Sequence, residues 1–84
     1  MSYSLHILRR AQKELAQLPE DAYVKVRDSI RALAEGPRPN GCQKLTAREG
    51  WRVRVGNYRV IYDIDDKRKT VTVVHVGHRR DVYR

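Results

Sequence analysis

Apolar side chains follow two different rhythms along this chain. Tyr3 to Leu8 alternate weakly between apolar and polar, which suits a first strand. From Leu8 the period lengthens, and Leu8, Ala11, Leu15 and Leu18 recur at helical spacing with Arg9, Arg10, Lys13 and Glu14 facing water. Pro19 ends this helix and is placed to open another, since the first turn of a helix does not need the N–H that proline lacks. The second helix carries Tyr23, Val26, Ile30 and Leu33 on one stripe and stops at Gly36-Pro37. The two helices, joined at Leu18-Pro19, form an antiparallel hairpin with one apolar side. Residues 36–50 read as a loop punctuated by Pro37, Pro39, Asn40 and Gly41, with Leu45 available to pin it to the core.

The two-residue rhythm returns at Trp51. Trp51, Val53 and Val55 fall on one face of a strand, and Arg52 and Arg54 on the other. Gly56-Asn57 is a two-residue hairpin connection, with glycine at the first turn position as a type II′ turn requires. That loop length pairs Val55 with Tyr58, Arg54 with Arg59 and Val53 with Val60. Asp65 to Lys69 is a charged turn, and Thr70 to Val76 is β-branched at nearly every position. A strand apolar on both faces belongs near the centre of a sheet. The predicted order is β-α-α-β-β-β, an α+β fold in which a helical hairpin covers one face of a small, mostly antiparallel sheet. The other face is expected to be open, with the arginines on it.

Length and charge sharpen this picture. At 84 residues the chain is expected to form one domain, residues 1–84, near the lower limit for folding on a single core. Lysine and arginine number 18 against 10 acids, a net charge of +8 that points to a polyanionic partner. The bias is uneven: residues 1–50 hold nine basic and six acidic side chains (+3), residues 51–84 nine basic and four acidic (+5). Cys42 has no second cysteine to pair with. No cationic leader with an apolar run and no stretch of membrane-spanning length is present, so a cytoplasmic protein without membrane contact is expected.

The chemistry concentrates on the hairpin. One arginine on a strand is ordinarily a solvated side chain. Here Arg54 faces Arg59 and Arg52 lies two residues along on the same face, and like charges in cross-strand pairs are destabilising. Three converging guanidinium groups call for a compensating anion, and their forked donors match phosphate oxygens. Asp63 shares the parity of Arg59 and reads as its counter-ion, or else as a base. His75 and His78 fall on opposite faces and lack a Cys/His partner set, so no metal site and no cofactor are expected. His78 suits acid–base work, because imidazole titrates near neutral pH. Arg79 and Arg80 either reach the arginine face or form an ordinary basic tail. Tyr83 either stacks on a base or closes the core. Trp51, Tyr58 and Tyr62 should pack beneath the helices.

Together, the first strand, the Leu-Pro-linked helical hairpin, Arg54-Val-Gly-Asn-Tyr-Arg-Val-Ile-Tyr62 and the ending Val76-Gly-His-Arg-Arg-Asp-Val-Tyr-Arg84 resemble the RelE/ParE superfamily of bacterial type II toxins, in particular its RelE-like branch. The resemblance covers nearly the whole chain. It implies a metal-independent endoribonuclease that cuts mRNA in the ribosomal A site and is held in check by a cognate antitoxin protein. The catalytic set it implies falls on Arg52, Arg54, Arg59, Arg79 and Tyr83, with His78 and Arg80 as further substrate-binding or acid–base candidates. The chain departs from the family's pattern in one respect. Arg52 and Arg54 stand where well-known members carry lysines, and arginine effectively cannot give up its proton. The two either act through charge alone or leave proton transfer to His78 or Tyr83. The ParE branch, which poisons DNA gyrase and generally lacks this catalytic set, is the alternative, as is a catalytically weak binding module.

Overall fold

The computed structural model describes residues 2–46 and 49–78. In chain order the elements are β1 (Ser4–Ile7), α1 (Arg9–Ala16), α2 (Glu20–Leu33), β2 (Gln43–Lys44), β3 (Trp51–Val55), β4 (Tyr58–Asp65) and β5 (Thr70–His78). The five strands form one sheet in the order β1-β5-β4-β3-β2. β1 runs parallel to β5, and the other neighbours are antiparallel. Four of the five strands are those the sequence pattern predicts; the fifth, β2, lies at the sheet edge beside β3, inside what reads as a loop.

The helical hairpin forms as its periodicity requires. Ala11 and Leu15 of α1 and Val26, Ile30 and Leu33 of α2 are buried against Val53, Val60, Tyr62, Val71, Val73 and Val76 of the sheet. Pro19 is the N-cap of α2, and Glu20 and Asp21 complement the positive end of the helix dipole in its first turn. Leu8 departs from expectation. It caps α1 rather than entering its apolar stripe, and remains 46% exposed.

The β3–β4 hairpin keeps the predicted register, with Val55 opposite Tyr58, Arg54 opposite Arg59 and Val53 opposite Val60. Gly56 has φ +60 and Asn57 is not left-handed, which fits the type II′ turn and excludes type I′, where both central residues have positive φ. β5 lies between β1 and β4, as its β-branched run predicts. Its pairing with β4 shifts at Ile61/Tyr62, so that Tyr62 faces Val73 while Ile61 faces His75, leaving Val74 as an extra residue. This bulge reverses the parity of β5. Val71, Val73 and Val76 all reach the helix-covered face despite their uneven spacing.

β1 pairs with β5 only as far as Val73. Beyond it, Glu14 of α1 takes over the exposed strand edge. Its carboxylate accepts a 3.0 Å bond from the Val76 N–H and a 2.8 Å bond from His75 Nδ1. Glu14 therefore does not simply face water; the short parallel strand leaves donors that this carboxylate satisfies.

The segment from Pro37 to Gly50 is fastened at both ends. The Tyr62 hydroxyl donates to the Pro37 carbonyl at 2.8 Å, and Arg38 pairs with Asp66 at 2.9 Å while its guanidinium lies 5.1 Å from the centre of the Trp51 ring. Leu45 is half-buried and packs toward Gly50 rather than joining the core cluster. Gly50 has φ +126, and a Cβ there would sit 3.1 Å from Asp63 Oδ1 and 3.3 Å from Leu45 Cδ1, so both backbone and space require glycine.

Candidate functional site

Across the face away from the helices, the strands place Gln43, Arg52, Ile61 and His75 in one row and Arg54, Arg59 and Gly77 in the next. The three hairpin arginines are thus brought together on one side as predicted. They are not equally open to solvent. Arg54 is exposed, but Arg52 and Arg59 retain only 6% and 7% of their accessible surface.

Among the described residues no carboxylate lies within ion-pairing distance of Arg52, Arg54 or Arg59. Arg52 Nη2 donates to Gln43 Oε1, across the β2–β3 pair. Arg59 Nε is buried without a hydrogen-bond partner. Burial penalises a charge strongly unless it is paired, and a guanidinium cannot escape by deprotonating. Two buried cations beside an exposed third are a candidate anion site, at which a phosphate would supply both the missing charge and an acceptor for the idle Arg59 Nε.

Asp63 is not the counter-ion of Arg59. It stands four residues along β4, paired with Thr72 and close to Gly50, and it is exposed. His78 is not brought to the arginines either. The β5 bulge sends it to the helix-side face opposite Tyr58, where the two rings meet edge-on with centroids 5.7 Å apart. Without the extra residue at Val74, parity would have put His78 on the arginine face. Arg79, Arg80 and Tyr83 lie outside the described residues. Trp51 and Tyr58 pack half-buried against the core and Tyr62 is fully buried, as expected.

Two participants were not legible in the sequence. Gln43 belongs to a strand of two residues, too short to show alternation. His75 is buried and tied to Glu14, a contact across 61 positions with no local signal beyond the shortness of β1. Among the described residues, no group of three or more His, Cys, Asp or Glu side chains could hold a metal ion. No helix of the described residues is long and apolar enough to cross a membrane.

Shifted titrations lie away from the arginine face. Burial pushes the Tyr62 phenol well above its ordinary range. At the opposite end of the hairpin, Arg38 and then the Tyr3 hydroxyl hold the Asp66 carboxyl down, from 3.8 to about 2. The same contacts raise Arg38 and Tyr3.

A family model described as the ParE toxin of type II toxin–antitoxin systems, parDE, matches residues 5–83. The chain belongs to the RelE/ParE toxin family. The toxin is 31% identical over 86 residues to Toxin RelG of Mycobacterium tuberculosis, covering 100% of this chain and 99% of that protein. It is 33% identical over 84 residues to Toxin RelE of the same organism, covering 98% and 87% respectively. The crystal structure of the archaeal RelE–RelB complex from Pyrococcus horikoshii superposes with a TM-score of 0.84 at 27% identity, over 98% of this chain and 100% of that one. The toxin's two-helix, five-stranded architecture is thus that of RelE-like proteins, and its arginine face lies on the sheet surface that the helical hairpin leaves free.

Proposed function

We propose that this toxin is a ribosome-dependent mRNA endoribonuclease that works through its arginine face and needs no metal. The observation that carries the reading is the pair of buried guanidinium groups, Arg52 and Arg59, without a carboxylate among the described residues and with one nitrogen unpartnered. In the reaction, the 2′-hydroxyl attacks the adjacent phosphorus and the bond to the 5′-oxygen breaks, leaving a 2′,3′-cyclic phosphate and a 5′-hydroxyl. The 2′-hydroxyl proton passes to a base and the 5′-oxygen collects one. Arg52 and Arg59 hold the non-bridging oxygens and the charge that builds on them, with Arg54 beside them at the surface. Arg79 stabilises the leaving oxygen. Since arginine cannot act as the base and His78 faces the helices, Tyr83 is the remaining candidate for orienting the substrate and moving the proton. The ribosome supplies the alignment of the 2′-hydroxyl with the scissile bond, which explains how so small a site suffices. The P. horikoshii relative was solved with RelB. A cognate antitoxin laid across the basic sheet surface would likewise silence this toxin.

The ParE description of the matching family favours a second reading, a non-nuclease inhibitor of DNA gyrase. Primer extension on mRNA in a translating extract separates the two. Wild type should produce cuts that depend on ribosomes, and Arg59→Ala should weaken them by about 100-fold or more, the usual cost of losing one donor to a developing charge. Absence of ribosome-dependent cuts would favour the gyrase reading, and cuts indifferent to Arg59→Ala would overturn the role given to the arginine face.

A further inference from the structure

Beside Arg52 and Arg54 lies a cavity of about 250 Å³, walled by Asn40, Gly41, Gln43 and Val53. It is smaller than the ~300–1,000 Å³ of sites that take drug-sized ligands, a scale suited to one flat ring. Its chemistry is one-sided. Two guanidinium groups and two side-chain amides line it, and no carboxylate does.

The orientation of the Gln43 amide follows from its partner. Arg52 donates to Gln43 Oε1, and a guanidinium offers donors only, so the carbonyl end must face Arg52 and the NH₂ end must face away. Gln43 is exposed, and its side chain makes no other hydrogen bond among the described residues. Its two N–H donors are therefore held, by a residue of the anion site itself, in a fixed direction beside that site. Asn40 brings a second exposed amide to the same cavity. A phosphate on the arginines with an acceptor-bearing ring next to it is the description of a nucleotide.

We propose that this cavity is a nucleobase subsite in which the Gln43 NH₂ group donates to an acceptor on the base adjoining the scissile phosphate, making Gln43 a determinant of which nucleotide is cut. Arg52 then has a second task, since it holds the phosphate and also sets the polarity of the group that reads the base. Base-edge hydrogen bonds of this kind discriminate, whereas phosphate contacts only position. The inference rests on the RNA-cleaving reading above.

The test compares wild type, Gln43→Glu, Gln43→Leu and Arg59→Ala in a translating extract, on an mRNA whose codons present all four nucleotides at each position. Cut frequencies are read by primer extension, and folding of each variant is checked by thermal melting. Gln43→Glu retains an acceptor for Arg52 but replaces the donors with an acceptor. Its cuts should move toward bases that present an amino group, changing the ratio of preferred to disfavoured sites by about tenfold. Gln43→Leu should flatten the preference while cutting continues. Wild-type preference retained in both variants would overturn the inference and leave the nuclease reading intact. Loss of all cutting in both folded variants would also overturn it, because Gln43 would then serve only to hold Arg52. No cutting by wild type would remove the nuclease reading and the subsite together.

Discussion

Arg59 carries opposite consequences for stability and for activity. Its guanidinium is 7% exposed, with Nε unpartnered and no carboxylate nearby among the described residues. Replacing buried ionic groups with apolar side chains of similar volume is often stabilising. Arg59→Met should therefore raise stability by on the order of 1 kcal/mol or more, a rise in Tm of about 4–8 °C for a domain this small. The same substitution should abolish mRNA cleavage. Calorimetry alongside primer extension checks both, and a lowered Tm would mean that the guanidinium is already compensated in the free toxin. At this scale the sequence was half legible. Alternation and turn length placed the three arginines on one face and in the right register. Their burial was not legible, because it depends on what surrounds a strand and not on the strand itself. Asp63 failed as a counter-ion for the same reason: parity fixes the face of a side chain but not its distance along the strand.

The elements are joined by contacts that local patterns do not announce. Glu14 satisfies both the Val76 N–H and His75 Nδ1, where β1 has ended and β5 continues. Glu14→Ala leaves two buried donors without partners and should cost about 1–3 kcal/mol, lowering Tm. Glu14→Gln, which keeps one acceptor, should lose less. Denaturant titration of the two variants tests this ordering, and equal losses would show that the α1 helix, rather than the carboxylate, secures the edge. Helices, the β3–β4 hairpin and the β-branched strand were all readable, since each has many residues that repeat one period. β2 has two residues and no period. The β5 bulge adds a single residue to a run that is apolar throughout, so nothing in the sequence marks where parity reverses. That one residue decides that His78 faces Tyr58 and not the arginines.

The whole molecule combines an open arginine face with one end fastened by side-chain contacts. The arginines and the cavity beside them lie along β3 and β4 on the open sheet face, while Tyr3, Arg38, Asp66 and Trp51 tie β1, the start of the 36–50 segment and the β4–β5 turn together at the end away from Gly56-Asn57. The Asp66 carboxyl is held from 3.8 down to about 2, first by Arg38 and then by Tyr3. A carboxyl whose folded pKa is depressed contributes stability that is present above its unfolded pKa and is lost as pH falls through the folded one. Tm should thus decline as pH drops from about 4 to about 2, the window set by this shift. Asp66→Asn should flatten that part of the profile while leaving the arginine face untouched. An unchanged slope in Asp66→Asn would assign the acid sensitivity to other carboxylates. The net charge of +8 also belongs to this scale, since it favours polyanions generally, and under the proposed function the buried guanidinium pair would give that attraction a particular place.

If the arginine face cleaves RNA, the chemistry of the cut ends shows it most directly. mRNA recovered from a translating extract treated with wild-type toxin should carry new 2′,3′-cyclic phosphate ends paired with 5′-hydroxyl ends, both absent with Arg59→Met. Intact mRNA, or new ends bearing 3′-hydroxyl and 5′-phosphate groups, would contradict it.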